Sequence, residues 1–399
     1  MMRRVIEWAE DEIVRNVEDV DLDGKTDRRR VTMHDVARLA NVSQSTVSLV
    51  VNNNPSVAAE TRDRVNQAIL ELGFRANRSA QNLRGSPNRT IGFVTNQMAT
   101  SPFAGQTILG AQQAAWEQGH VLLVVDVGDS AELTDSAIHI LIDQDVAGFI
   151  YASMSPMKIY IPVALREAPL VIVNADPAGI ENFQLVGAGN YDGGMLAART
   201  LLAAGHSRIL YLAGETWNPV TIDRERGFRT VLASLETGAV ELHVNYGTYE
   251  ISSGYSRMRS VIEHDSWWPT AIFAANDRVA LGAIQALSES GRKVPEDISV
   301  LGYDDQPSLA DQVHPALSTI TLPHFEMGQI AVKSLLEQIA FGVQSGPRVA
   351  HPNLIVRDTI RDIGPPIYAY DIAAPQRLGT RKQKAGKPSR ASSAGSGAN

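Results

Sequence analysis

From Thr90 to Gly302 short apolar runs alternate with longer stretches whose apolar residues recur at helical spacing, and this pattern restricts the possible folds most severely. Strands are expected near Thr90–Thr95, Val121–Val127, Val146–Ala152, Leu170–Asn174 and Leu185–Gly189, with helices at Phe103–Gly119 and Ala131–Gln144. A second series has strands near Arg208–Ala213, Leu242–Tyr246, Ala271–Ala275 and Ile298–Gly302, and helices at Asp192–Gly205, Ile222–Leu235, Ser253–Glu263 and Asp277–Gly291. Strands separated by helices pair in parallel through right-handed crossovers. The alternation therefore predicts the α/β class, with two doubly wound parallel sheets.

Ligands of doubly wound sheets sit beyond the carboxyl ends of the strands, which directs attention to the polar residues found there. These are Asn96, Asn174, the pair Asn276-Asp277 and the pair Asp304-Asp305; Arg224, in the Arg-x-x-Gly-Phe run at 224–228, is expected to open a helix of the second series. Neutral amides, a guanidinium and a carboxylate around a cleft suit a polyhydroxylated neutral ligand, because each hydroxyl both donates and accepts. A sugar fits this set better than a phosphate. Asparagine and aspartate at strand ends are also ordinary turn formers, so residue type alone leaves each assignment open.

A different pattern precedes the alternation. Val31 to Asn52 reads VTMHDVARLANVSQSTVSLVVN. Thr32 followed three residues later by Asp35 is a capping-box pattern, which predicts a helix from Thr32 through Ala40 with Val36, Ala37, Leu39 and Ala40 as its apolar face. Asn41-Val42 breaks the period and Ser43 offers a second N-cap. In the helix that follows, Val47, Val50 and Val51 point one way and Gln44, Ser45, Ser48 and Leu49 another, while Ala59 to Leu72 supplies Val65, Ile69 and Leu72 to close a small core. Two brief helices, a tight turn and a polar outer face describe a helix-turn-helix, although two ordinary surface helices would show the same spacing. The run from Phe74 to Gly85 is polar and basic with one protruding leucine, Leu83, and Gly85-Ser86-Pro87 marks a linker.

Charge separates along the chain in the same way. The formal net charge of −8 divides into −5 over residues 1–27, +6 over 28–89, −15 over 90–375 and +6 over 376–399. A basic head on an acidic body approaches phosphate in one orientation, with salt-dependent affinity. The chain has no cysteine, which excludes disulfides and thiolate chemistry. No apolar run reaches membrane-spanning length and Met1 to Asp27 is acidic, so neither a membrane span nor a secretion signal is expected. Asp19 to Gly24 resembles the start of a calcium loop, but Arg30 stands where the bidentate glutamate is required.

The run from Val31 to Gly85, followed by Ile91-Gly92-Phe93-Val94, resembles the lactose-repressor (LacI/GalR) family of bacterial transcription regulators, and the likeness continues to about residue 362. The resemblance implies a cytoplasmic, nucleoid-associated homodimer that represses transcription from a palindromic operator under the control of a small-molecule effector, with no metal, cofactor or membrane partner. It implies an acidic arm over 1–30, a helix-turn-helix domain over 31–76, a hinge over 77–88 and a two-lobed core of the periplasmic-binding-protein type over 89–362. The first lobe would comprise about 89–188 and 321–347 and the second about 189–320 and 348–362, followed by a basic disordered tail over 363–399. DNA contacts are implied for Thr32, Gln44, Ser45, Thr46, Ser48, Leu49 and Asn52 in the head and for Asn77, Arg78, Ala80 and Leu83 in the hinge, Leu83 acting as a minor-groove wedge. Effector contacts are implied for Asn96, Phe103, Asn174, Arg224, Tyr249, Asn276, Asp304 and His324, with Phe325 beside His324 as the residue that packs. Three departures from the family pattern are Leu49 in place of arginine, Ala76 in place of a pre-hinge proline and Ala58 in place of a serine N-cap.

Two other readings remain. Gly187-Ala188-Gly189-Asn190-Tyr191-Asp192-Gly193 follows a strand and precedes a helix as a dinucleotide fingerprint would, but its third glycine comes one residue late. A sugar-binding transport protein would have the same two lobes, without an evident use for Val31–Gly85.

Overall fold

The capping box at the start of the head forms as the spacing predicts. In the computed structural model the Thr32 hydroxyl accepts the Asp35 N–H and the Asp35 carboxylate accepts the Thr32 N–H, opening helix α1, Met33–Ala40. Asn41, with φ of 50°, takes the left-handed conformation that ends it. The Ser43 hydroxyl then accepts the Thr46 N–H at 3.1 Å and starts α2, Gln44–Val51. Helix α3, Ala59–Leu72, has Ala58 at its N-cap and so no side-chain acceptor for its first amides. Val36, Val47, Val50 and Val65 close the core with Phe74, and Leu39, expected on the buried face, is instead 45% exposed. Its place at the edge of the stripe leaves it outside the seam made by Val36, Ala37 and Ala40.

The structure describes residues 31–51, 54–74, 88–96, 104–154, 156, 158–177, 183–236, 238–264 and 266–367. The chain divides after Pro87 into two compact units. Asn52, Asn77, Arg78, Ala80, Leu83 and Phe103 lie outside the described residues, as do the arm over 1–30 and most of the tail.

The second unit contains two six-stranded sheets. The first is built from β1 (Thr90–Asn96), β2 (Val121–Asp126), β3 (Phe149–Ser153), β4 (Leu170–Val173), β5 (Gln184–Ala188) and β11 (Arg348–Ala350), in the order β11-β5-β4-β3-β1-β2 and parallel throughout. The second is built from β6 (Arg208–Ala213), β7 (Glu241–Tyr246), β8 (Ala271–Ala274), β9 (Ser299–Asp304), β10 (Ser318–Thr321) and β12 (Leu354–Ile355), in the order β12-β10-β9-β8-β6-β7, with only β12 antiparallel. Fully buried apolar runs such as Leu170–Val173 and Ala271–Ala274 are what a sheet covered on both faces requires. Helices α4 (Ala104–Glu117), α5 (Ala131–Asp143) and α10 (His324–Phe341) belong to the first lobe. Helices α6 (Asn190–Ala203), α7 (Pro219–Ala233), α8 (Ile251–His264) and α9 (Asp277–Glu289) cover the second.

The chain passes between lobes at Gly189, at Leu322–Pro323 and between Ala350 and Leu354. The third passage corrects the expected boundary: residues 348–350 pair with β5 in the first lobe, held by the Gly189 N–H donating to the Ala350 carbonyl at 3.0 Å. Thr321, expected to begin the first lobe's second segment, belongs to β10 of the second. Residues 363–367, expected to belong to the tail, are instead tied to the second lobe, the Ile363 and Ile367 N–H groups donating to the Ala204 and Leu202 carbonyls at the end of α6. The first two passages leave directly from the carboxyl ends of β5 and β10, the sheet edges beyond which ligands of doubly wound folds sit.

Candidate functional site

At the carboxyl edge of the second lobe's sheet, a wall of polar side chains is centred on Arg224. Asn218 caps α7, with Pro219 in the first turn, so Arg224 projects from the second turn instead of opening the helix. Its side chain is buried, with Nε donating to Asn190 Oδ1 at 3.1 Å and Nη1 to the Ala275 carbonyl at 2.6 Å. The guanidinium lies 3.4 Å from the Tyr303 ring centroid, and its Nη2 is 3.9 Å from Asp304 Oδ1. Burial pushes the Asp304 carboxyl up to about 8, against the opposing pull of Arg224. Asp304 also has φ of 107°, a conformation costly for a residue with a Cβ, and its carbonyl accepts the Leu322 N–H at the second passage between lobes.

Tyr249 completes the wall. Its hydroxyl is 2.7 Å from the Thr221 hydroxyl, and its ring lies so close to Gly214 that a Cβ there would collide with it. Asn276 is committed to structure at both ends of its amide: Oδ1 accepts the Val279 N–H at 2.8 Å as the cap of α9, and Nδ2 donates to the Tyr249 carbonyl at 3.1 Å. Beneath it Asp277 is fully buried, accepting from the Thr319 hydroxyl at 2.6 Å and the Gln306 N–H at 2.7 Å. Burial raises its carboxyl to about 7, opposed by those two hydrogen bonds.

The fold thus gathers Arg224, Tyr249, Asn276 and Asp304 on one wall, while Asn96, Asn174 and His324 belong to the other lobe. Asn174 sits at φ of 50° and donates to the Ser153 carbonyl at 3.2 Å, a turn-forming role, whereas the Asn96 carboxamide oxygen is buried without a hydrogen-bond partner among the described residues. His324 is the first residue of α10 and is buried, with Phe325 beside it half-buried. Sequence reading missed Asn190, Thr221 and Tyr303. Tyr303 directly precedes Asp304 at a strand end and could have been found; Asn190 lies in a glycine-rich passage whose partner is 34 positions away.

In the head, Gln44, Ser45 and Leu49 are exposed on α2, and Thr46 and Ser48 are half-buried. Leu49, at 38% exposure, presents an apolar surface where Val47 and Val50 turn inward. Thr32 holds the capping box, so its hydroxyl is already engaged with Asp35 at 2.6 Å.

A model described as the lacI family of bacterial regulatory proteins matches residues 32–77, and one described as a periplasmic binding protein-like domain matches 198–360. The HTH-type transcriptional repressor PurR of Vibrio atlanticus is 32% identical over 336 residues, spanning 83% of this chain and 99% of its own length. The chain belongs to the lacI family. Another relative of this lacI-family protein, the ribose operon repressor of Haemophilus influenzae, is 29% identical over 82% of the chain and 98% of its own. Among solved structures, the lac repressor dimer bound to operator and the anti-inducer ONPF has a TM-score of 0.70 at 30% identity, covering 84% of this chain and 100% of its own. The complex of the regulator CelR with cellobiose has a TM-score of 0.56 at 29% identity, covering 83% and 100%. Membership makes the protein a transcriptional regulator and removes the dinucleotide-enzyme reading. The glycine-rich passage at 187–193 is the end of β5, the first crossing and the start of α6.

Proposed function

We propose that this lacI-family protein is a homodimeric repressor whose grip on a palindromic operator is set by a sugar held between the two lobes. The observation that carries the reading is the single wall of Arg224, Asp304 and Tyr249, which offers donor, acceptor and aromatic face to one ligand. Relatives solved with ONPF and with cellobiose support a sugar-like occupant. Asn276 contributes by holding the Tyr249 carbonyl, and Asn96, Phe103, Asn174 and His324 would face the ligand from the first lobe. In the head, Gln44 and Ser45 would reach base edges in the major groove, Ser48 and Thr46 would assist, and Leu49 would contribute apolar contact alone. Thr32 and Asn52 would touch phosphates, and Asn77, Arg78, Ala80 and Leu83 would form the minor-groove hinge.

A thermal-shift panel of D-ribose, cellobiose and o-nitrophenyl galactosides selects a ligand, and an operator obtained by selection from random duplex is titrated with and without it. Wild type changes its operator affinity with sugar. Arg224→Ala keeps the sugar-free affinity but loses the response, because one unpaired buried hydroxyl costs roughly 1–3 kcal/mol of sugar affinity. A variant with the wild-type dose dependence would show Arg224 to be structural only.

A further inference from the structure

A second buried guanidinium lies behind this wall, and it has no carboxylate partner among the described residues. Arg257, in α8, is buried. Its Nη1 donates to the Ala213 carbonyl at 2.7 Å and the Asn245 carbonyl at 2.8 Å, its Nη2 to the Thr248 carbonyl at 3.3 Å and its Nε to the Ser253 carbonyl at 3.1 Å. Burial pulls the group down to about 10, so it stays charged at neutral pH. A buried cation answered only by carbonyl oxygens is an expensive arrangement for stability alone, since an apolar side chain of the same size would avoid the desolvation.

The carbonyls it takes are not scattered. Ala213 ends β6 and directly precedes Gly214, the residue on which the Tyr249 ring lies; Thr248 directly precedes Tyr249 itself. One planar fork therefore fastens both backbone segments whose contact places the ring, while Asn245 and Ser253 anchor the same fork to β7 and to the first turn of α8. Gly247 shows how closely the loop is drawn over it, because a Cβ there would stand 2.9 Å from Arg257 Nε and 3.0 Å from its central carbon.

We propose that Arg257 is a positioning residue of the effector wall, fixing the Tyr249 ring over Gly214 by holding the ends of β6 and β7 and the loop between Tyr246 and Ile251 on one guanidinium. Its functional meaning rests on the reading of Tyr249 as a ligand-facing residue; the placement of the ring does not. Position is read without ligand, by fluorine NMR of the full chain labelled with 3-fluorotyrosine, the Tyr249 and Tyr303 resonances being assigned from Tyr249→Phe and Tyr303→Phe. In Arg257→Gln the Tyr249 resonance shifts or splits, whereas that of Tyr303, on the Arg224 side, stays in place; Arg257→Lys restores part of the wild-type position. Gly247→Ala, which leaves the arginine but crowds the loop against it, moves the same resonance. An unmoved Tyr249 signal in both Arg257→Gln and Gly247→Ala overturns the proposal, as does joint movement of Tyr249 and Tyr303 in a lobe loosened as a whole. With the sugar selected above, Arg257→Gln raises the concentration giving half the operator response about tenfold, equivalent to 1.4 kcal/mol. If no sugar acts on wild type, the ligand reading fails while the resonance shift still decides the role of Arg257.

Discussion

Asp304 combines two features that are costly to the fold. Its backbone is held at φ of 107° and its carboxyl is forced toward the neutral form, while the Arg224 guanidinium at 3.9 Å is too far for a close ion pair. The folded carboxyls of Asp304, at about 8, and Asp277, at about 7, bind protons more tightly than exposed aspartate. Between about pH 4 and pH 8 the folded chain thus holds protons that the unfolded chain has released, and this contribution to stability falls as pH rises. Asp304→Gly removes both the strained Cβ and the buried acid. Thermal melts should place it about 1 kcal/mol above wild type near pH 8, with the difference falling and then reversing as pH drops toward 5, because wild type gains stability as Asp304 takes up its proton. A gap independent of pH would mean that the carboxyl is not perturbed.

At the scale of elements, the three head helices differ mainly in how they begin. α1 has a complete capping box and α2 a serine cap, whereas α3 starts from Ala58 with no side-chain acceptor. Ala58→Ser should therefore stabilise the head by about 1 kcal/mol, and Thr32→Ala should destabilise it by about the same amount. Hydrogen exchange of the α3 amides measures both. Equal protection in wild type and Ala58→Ser would indicate that the preceding turn, where Arg62 donates to the Asn54 carbonyl at 2.7 Å, already anchors the helix.

Across the whole molecule the charge of +6 over residues 28–89 sits on a chain whose residues 90–375 carry −15. Attraction to duplex then comes from the head segment and from the +6 of residues 376–399, and repulsion from the acidic residues 90–375, which makes affinity depend on released counterions. Raising salt from 50 to 200 mM should weaken binding to the selected operator by about a thousandfold or more, following a straight log–log line, as expected for several phosphate contacts. A flat salt response would exclude phosphate as the main attraction. The lobes are joined by short passages, and one of them, at Leu322, is hydrogen-bonded to the Asp304 carbonyl.

Signals within a few residues were legible in the sequence alone. The Thr32–Asp35 box, the break at Asn41 and the strand–helix alternation depend on spacings that local backbone geometry imposes, and each appears in the fold. The strand-end rule led to Arg224's neighbour Asp304 because chemistry at a sheet's carboxyl edge follows from topology. Helix α10 was equally readable, with Met327, Ala331 and Leu335 repeating every four residues, although no expectation covered it. Tertiary structure alone decided that residues 348–350 pair with β5, that Leu39 faces solvent and that His324 packs more deeply than Phe325. It also brought Asn190 to Arg224 and the ends of β6 and β7 to Arg257. Those partners are separated by up to 44 positions, and which carbonyl a buried guanidinium finds depends on how sheets and helices close around it, which no local spacing encodes.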